Sequence, residues 1–198
     1  MMNSAAASAL DVDDGHRAAG GHPGASIIPA ALAVAGEVGA DVPEVLTAIV
    51  VGYEVGVRIA AARDFAVLDT LSTGRWCAYG AAAAGGFLRQ LPPETLAQAL
   101  AVAGVQAPGL SAAGYSSVMG NHVKEGIPWS TFGGLFALTL AEQGFTGPTD
   151  ILDHPSYYDR ERIRDGLGSG FAIESVYFKR YSCCRWSHSA LDALAAIV

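Results

Sequence analysis

Residues 77–90 read CAYGAAAAGGFLRQ, and this run decides the fold. Four consecutive alanines carry the strongest helix propensity available, while Gly80, Gly85 and Gly86 remove side-chain bulk. The run therefore reads as a helix, opening after Ser72-Thr73, whose neighbours approach closely on more than one side. Working outward, Ala and Leu recur at helical spacing on both flanks. A helix is expected from about Ser26 to Val38, with Pro29 tolerable only in its first turn. Another starts near Asp41, where Pro43 and Glu44 favour an N-terminus, and continues to about Ala62. Gly52-x-x-x-Gly56 within it indicates tight helix packing. Leu91-Pro92-Pro93-Glu94 is a stop and restart, with a helix to about Gly104. Val105 to Gly126 is rich in Gly and Ser and reads as loop or short turns. Pro128-Trp129-Ser130 opens a helix that closes at Gly144 as its C-cap residue. The following stretch, residues 145–165, reads as polar surface connection.

The character changes at residue 172. AIESVYFKRY (172–181) has β-branched and aromatic residues and is the one convincing strand. SHSALDALAAIV then begins a helix. The expected class is mainly α, with a helical domain over residues 1–170 and the start of a second, α+β unit over residues 171–198. Both ends carry half-formed elements, so the chain is expected to be a piece of a longer protein.

Composition narrows the function. The chain has 198 residues, 51% hydrophobic and 16% charged, with a net charge of −7. So apolar a chain offsets its ordering entropy by burial, which excludes intrinsic disorder. An acidic balance argues against a nucleic-acid partner, which needs a basic face for phosphates. The longest apolar stretch, Thr47 to Ala62, is interrupted by Glu54 and Arg58, so no membrane span is expected. The first residues lack a basic region and a long apolar core, so no secretory signal is read. The three cysteines, Cys77, Cys183 and Cys184, form no disulfide framework and no Cys-x-x-Cys metal spacing. A cytoplasmic protein is expected, without metal. No P-loop and no G-x-G-x-x-G follows a strand, so no cofactor is expected.

Charged residues are few enough to examine singly. Asp11-Val-Asp13-Asp14-Gly-His16-Arg17 and His22 put three carboxylates and two imidazoles within twelve residues, ahead of a helix N-terminus. Such a cluster can shift pKa values and place a general base near an anion-binding helix end. It also suits a solvated turn with capping aspartates. The chain has two lysines, Lys124 and Lys179, against ten arginines. A compact ammonium does what a guanidinium cannot: it acts as a point charge whose pKa responds readily to burial. Codon bias alone would also make lysine rare.

Four stretches, in order and spacing, resemble the MmgE/PrpD family, which includes 2-methylcitrate dehydratase, cis-aconitate decarboxylase and an iminodisuccinate epimerase. They are LDVDDGHRAAGGHPGASIIPAALA (10–33), STGRWCAYGAAAAGGFLRQL (72–91), VKEGIPWSTFGGLFALTLAEQGFTGPTDIL (123–152) and YFKRYSCCRWSHSALDAL (177–194). The resemblance implies an all-helical core and a smaller α+β lid with the active site between them. It implies that residues 171–198 hold the lid's first strand and helix, and that helices before this start, most of the lid and a returning C-terminal segment lie outside the chain. It places Asp11, His22, Lys124 and Lys179 as catalytic residues and His188 as a substrate-binding candidate; Cys184, and His122 two residues before Lys124, are further substrate-binding candidates by their positions in the sequence. Asp13 and Asp14 are weaker candidates that would cap or ion-pair, and His16 has no clear role.

The resemblance is incomplete. Leu71 stands where decarboxylases of the family carry His in an H-x-T-G motif. Gly15 replaces a Thr, and Cys184 replaces a His five residues after the lid lysine. The implied chemistry is a lyase reaction: proton abstraction next to a carboxylate, then loss of a β-hydroxyl from a small hydroxy acid such as a 2-methylcitrate-like substrate. The two lysines would bind carboxylates or serve as acid, and His22 or Asp11 would be the base. Alternatives are an epimerase or decarboxylase of the same family, or a truncated helical piece without activity. The partner expected is a small carboxylate, and a homodimer is implied by the resemblance.

Overall fold

The computed structural model describes residues 1–108 and 124–197. Among these the chain is mainly α, with eight α-helices and one two-stranded sheet. Their order is α1 (Met2–Ala9), β1 (Asp14–His16), α2 (Gly24–Val38), α3 (Val42–Ala61), α4 (Cys77–Leu88), α5 (Pro93–Val105), α6 (Ile127–Glu142), α7 (Arg160–Arg164), β2 (Val176–Phe178) and α8 (His188–Ala195). No helix among the described residues is long and apolar enough to cross a membrane.

Helix α4 is the hub, packing on α2, α3, α5 and α6. Eleven of its twelve residues are buried, and only Phe87 reaches solvent appreciably. The Ala/Gly run therefore makes close contacts on several sides, as its composition requires. At the α3–α4 crossing, a Cβ on Gly80 would lie 2.8 Å from the Gly52 carbonyl oxygen, and one on Gly52 would lie 2.9 Å from that of Gly80. The two backbones touch there, which explains Gly52-x-x-x-Gly56 as packing. One apolar cluster gathers Ile27, Tyr53, Val57 and Trp76 on one side of α4. A second gathers Val102 and Leu138 with small residues of α5 and α6 on the other.

The ends of the helices follow their local chemistry. Asp41 caps α3 in a reciprocal box, accepting from the Glu44 N–H at 2.9 Å while the Glu44 carboxylate accepts from the Asp41 N–H at 2.8 Å. Helix α6 gives way to Gly144 in the left-handed conformation, one residue after the cap. Helix α2 begins two residues earlier than its sequence suggests, so Pro29 falls in the second turn. Proline cannot donate to the carbonyl of Ala25 four residues back. The Ser4 hydroxyl of α1 supplies that bond instead, at 2.7 Å.

Two expectations change. The strand at 172–181 is only three residues long, because residues 172–175 form a 3₁₀ turn. Its partner is β1, in the acidic stretch read as a turn; Asp14 pairs with Phe178, Gly15 with Tyr177 and His16 with Val176, antiparallel. The connection at 145–165 carries α7 and is tied to α3, since the Asp159 N–H donates to the Ala62 carbonyl at 2.7 Å. Of the expected loop at 105–126, residues 109–123 lie outside the described residues.

Candidate active site

Three helix starts and the small sheet converge on one place. His22 lies two residues before α2, Thr73 opens the turn before α4, and Glu125 lies two residues before α6. Helix N-termini present unsatisfied N–H groups and favour anions. The β1–β2 pairing brings Lys179, just past β2, against the segment between α1 and β1.

There the two lysines meet two aspartates. Both ammonium groups donate to Asp11 Oδ1. Lys124 Nζ also lies 3.2 Å from Asp13 Oδ2, and Lys179 Nζ 2.7 Å from Asp13 Oδ1. The Lys179 side chain is 0% exposed and that of Asp13 3%, whereas Lys124 is 20% exposed. The Lys179 pKa is raised: burial alone would lower it, but hydrogen bonds and charge from Asp11 and Asp13 outweigh that. For Asp11, burial would raise the pKa, and the two ammoniums outweigh it, so the carboxyl is held below its ordinary range.

His22 and Glu125 form the second half of the site. His22 Nδ1 donates to the Asp14 carbonyl at 2.7 Å and lies 3.5 Å from Asp13 Oδ1, while Nε2 faces Glu125 Oε1 at 3.5 Å. Burial disfavours the imidazolium, yet Glu125 and Asp13 more than reverse this and raise its pKa. Glu125 itself is pulled down to about 2; burial opposes ionisation, and His22 and Thr73 override it. The Thr73 N–H and hydroxyl donate to Glu125 Oε2 at 3.0 and 2.7 Å. The Ser72 hydroxyl and Gly74 N–H hold the Glu125 carbonyl at 2.5 and 3.0 Å. Asp11 and Glu125 are two of the three non-glycine residues with positive φ among those described, at 55° and 52°. Such backbone costs about 1 kcal/mol or more each, and the surrounding bonds hold it.

Asp14 has a different task. Its carboxylate accepts from the Gly24 N–H at 2.9 Å and the Tyr53 hydroxyl at 2.6 Å, which fixes the start of α2 and so the ring of His22. Burial raises its pKa despite those bonds. His16, at the end of β1, is buried, and its Nδ1 accepts from the Ala19 N–H at 3.3 Å.

A cavity of about 400 Å³ opens beside His22 and Glu125, and Leu71, Tyr177, Cys184 and Arg185 are among the residues that line it. Of the residues singled out in the sequence, Asp11, His22, Lys124 and Lys179 come together, and Cys184 faces the adjoining cavity. His188 does not join them; it opens α8 with its ring edge-on to Tyr181 at 5.2 Å. His122 lies outside the described residues. Sequence reasoning missed Glu125 and Thr73, although each is adjacent in sequence to a residue that was singled out or lies within a quoted motif. Asp13 ion-pairs with both lysines and Asp14 accepts from the Gly24 N–H at the start of α2, the kinds of role expected of them. The Asp11, Asp13 and His22 ligand atoms lie close enough to hold a cation, but both ammonium groups already sit against those carboxylates.

Residues 1–160 match the sequence profile of the MmgE/PrpD N-terminal domain. The chain is 31% identical over 220 residues to a cis-aconitate decarboxylase of Aspergillus terreus, an alignment covering 98% of this chain and 44% of that protein. It is 30% identical over 223 residues to a cis-aconitate decarboxylase-like protein of Aspergillus oryzae, covering 98% and 45%. The chain thus spans less than half the length of the curated relatives it matches.

Proposed function

Because the chain belongs to the MmgE/PrpD family, we propose that the protein carrying it is a lyase acting on a small polycarboxylic acid, with Asp11, His22, Lys124 and Lys179 at the reaction centre. The observation that carries this reading is the convergence of two ammonium groups on Asp11 and Asp13 next to His22, an imidazole of raised pKa that lines an open cavity. An incoming carboxylate competes with Asp11 for Lys124, the more exposed lysine. Lys179, enclosed and paired with both aspartates, keeps the positive charge in place.

The state of the acid–base groups favours decarboxylation over dehydration. Glu125 and Asp13 raise the His22 pKa, which favours its role as a proton donor, while two ammoniums lower that of Asp11, which makes it a weaker base. Decarboxylation of an unsaturated polycarboxylate needs an acid and no base. The carbon–carboxylate bond breaks to release CO₂, and its electron pair spreads into the neighbouring unsaturated carboxylate. The lysine ammoniums stabilise that developing charge, and the carbanion carbon then takes the His22 proton. The names of the relatives agree with this reading. Dehydration of a 2-methylcitrate-like acid instead requires Asp11 to be freed by both lysines before it can take the α-proton.

A substrate panel tests the proposal. The complete protein is incubated with cis-aconitate and with 2-methylcitrate, following CO₂ release and alkene absorbance. CO₂ release from cis-aconitate, lost in His22→Asn, is the expected result. Alkene formation from 2-methylcitrate with no CO₂ would move the assignment to dehydration, and turnover of neither acid would remove the lyase reading.

A further inference from the structure

The cavity beside His22 and Glu125 is also lined by Tyr177 of β2 and by Cys184, Arg185 and Trp186, and this part of its wall has an unusual construction. Gly15 and Tyr177 are cross-strand partners. A Cβ on Gly15 would lie 2.2 Å from both Cζ and the hydroxyl oxygen of Tyr177. The phenol therefore occupies the space that any side chain at position 15 would need, and Tyr177 lines the cavity. Arg185 lies next to it, with its guanidinium 5.6 Å from the Tyr177 ring centre and 4.5 Å from that of Trp186. Both rings also line the cavity.

Arg185 makes no ion pair among the described residues. The one carboxylate lining the cavity among them is Glu125, which His22 and Thr73 already engage. Aromatic rings lie against the guanidinium, so its N–H groups remain available to a planar acceptor. A guanidinium binds a carboxylate through two parallel bonds, which an ammonium cannot do.

Building on the lyase reading above, we propose that Tyr177 and Arg185 select the substrate by binding its remote carboxylate, the one not held by Lys124 and Lys179. The class accepted is then a di- or tricarboxylic acid whose second acidic group reaches this wall. Gly15 is part of the same device, because it makes room for the phenol. A monocarboxylic acid gains nothing from the wall and is bound by the lysines alone.

Calorimetric titration of the complete protein with tricarballylate, glutarate and butyrate tests this. Arg185→Gln is expected to weaken tricarballylate binding by about tenfold or more while changing butyrate by less than about twofold, since one charge-assisted pair is lost. Tyr177→Phe is expected to give a smaller loss of the same pattern. Arg185→Lys, which keeps the charge, is expected to fall between wild type and Arg185→Gln, and it carries the test if Arg185→Gln melts early. Equal losses for tricarballylate and butyrate, or no loss for either, would overturn the proposal. Lys124→Met reads the underlying site separately, because it should weaken all three acids. If it leaves binding unchanged while Arg185→Gln abolishes selectivity, the reaction-centre assignment falls and the wall stands. If the wild-type protein binds none of the three, both fall.

Discussion

Helices α3 and α4 meet through bare backbone at Gly52 and Gly80, with no charge between them. At the start of the helices that adjoin this crossing, by contrast, two lysines, His22, Asp11, Asp13 and Glu125 crowd into one cluster. The first region is decided by volume and the second by charge. A change in volume at the crossing acts on the fold through every helix that packs on α4. A change in charge acts on a few groups whose neighbours are already fixed. The two regions should therefore fail differently.

The sharpest break is Gly80→Leu. Its side chain must displace the α3 backbone, at a cost of several kcal/mol (roughly 3 or more), because packed cores do not absorb added volume. Loss of the cooperative helical melt, followed by far-UV circular dichroism, is the expected outcome. A stable variant would mean that the crossing is looser than its geometry implies.

Charge removal should show a gradient with burial. Lys179→Met leaves Asp11 and Asp13 with one partly exposed partner and should cost about 3 kcal/mol, as breaking a buried pair does. Lys124→Met, at the more exposed position, should cost about 1 kcal/mol, in the range of exposed ion pairs. Denaturant titrations of the two variants measure the difference, and the reverse order would contradict the burial argument.

The His22–Glu125 pair predicts a pH dependence. His22 has a raised pKa, so its contribution is complete below its ordinary value near 6.5 and fades as pH rises through the raised one. Glu125 has a lowered pKa, so its contribution is complete above its ordinary value near 4.5 and is lost as pH falls toward about 2. The pair should therefore stabilise most between those two ordinary values. Glu125→Gln should flatten the decline on the alkaline side, read from melting temperature against pH. A Glu125→Gln profile parallel to wild type would remove the pair from the account.

The mildest change tests the helical half alone. Asp41→Ala removes the α3 cap and should cost about 1 kcal/mol, or about 3 °C in melting temperature for a chain of this size. Turnover should be unchanged, because the cap is exposed and remote from the lysines.

The same contrast explains what the sequence could disclose. The helices were legible because Ala/Leu periodicity and the Asp41, Pro92-Pro93 and Gly144 signals are local. The Gly52–Gly56 spacing was correctly read as packing. Helix α2 began early because Ser4, far away in sequence, satisfies the carbonyl that Pro29 leaves open. Strand β1 was missed because Asp14-Gly15-His16 has no strand composition; it is extended only because β2 lies beside it. Lys124 and Lys179 stood out by rarity, and the family resemblance joined them to Asp11 and His22. Glu125 gave no such signal, since its role comes from the backbone and hydroxyl of the Ser72-Thr73-Gly74 turn. The raised pKa of His22 depends on its contact with Glu125 and could not be read from spacing.

The central claim is that the lysine–aspartate cluster is a reaction centre and not merely an ion-pair knot. Turnover of cis-aconitate by the complete protein, compared between wild type and Lys124→Met under conditions where both are fully folded, tests it most directly. Loss of an electrostatic stabiliser predicts a fall in kcat of about a hundredfold or more. A folded Lys124→Met protein that turns over at the wild-type rate would contradict the account.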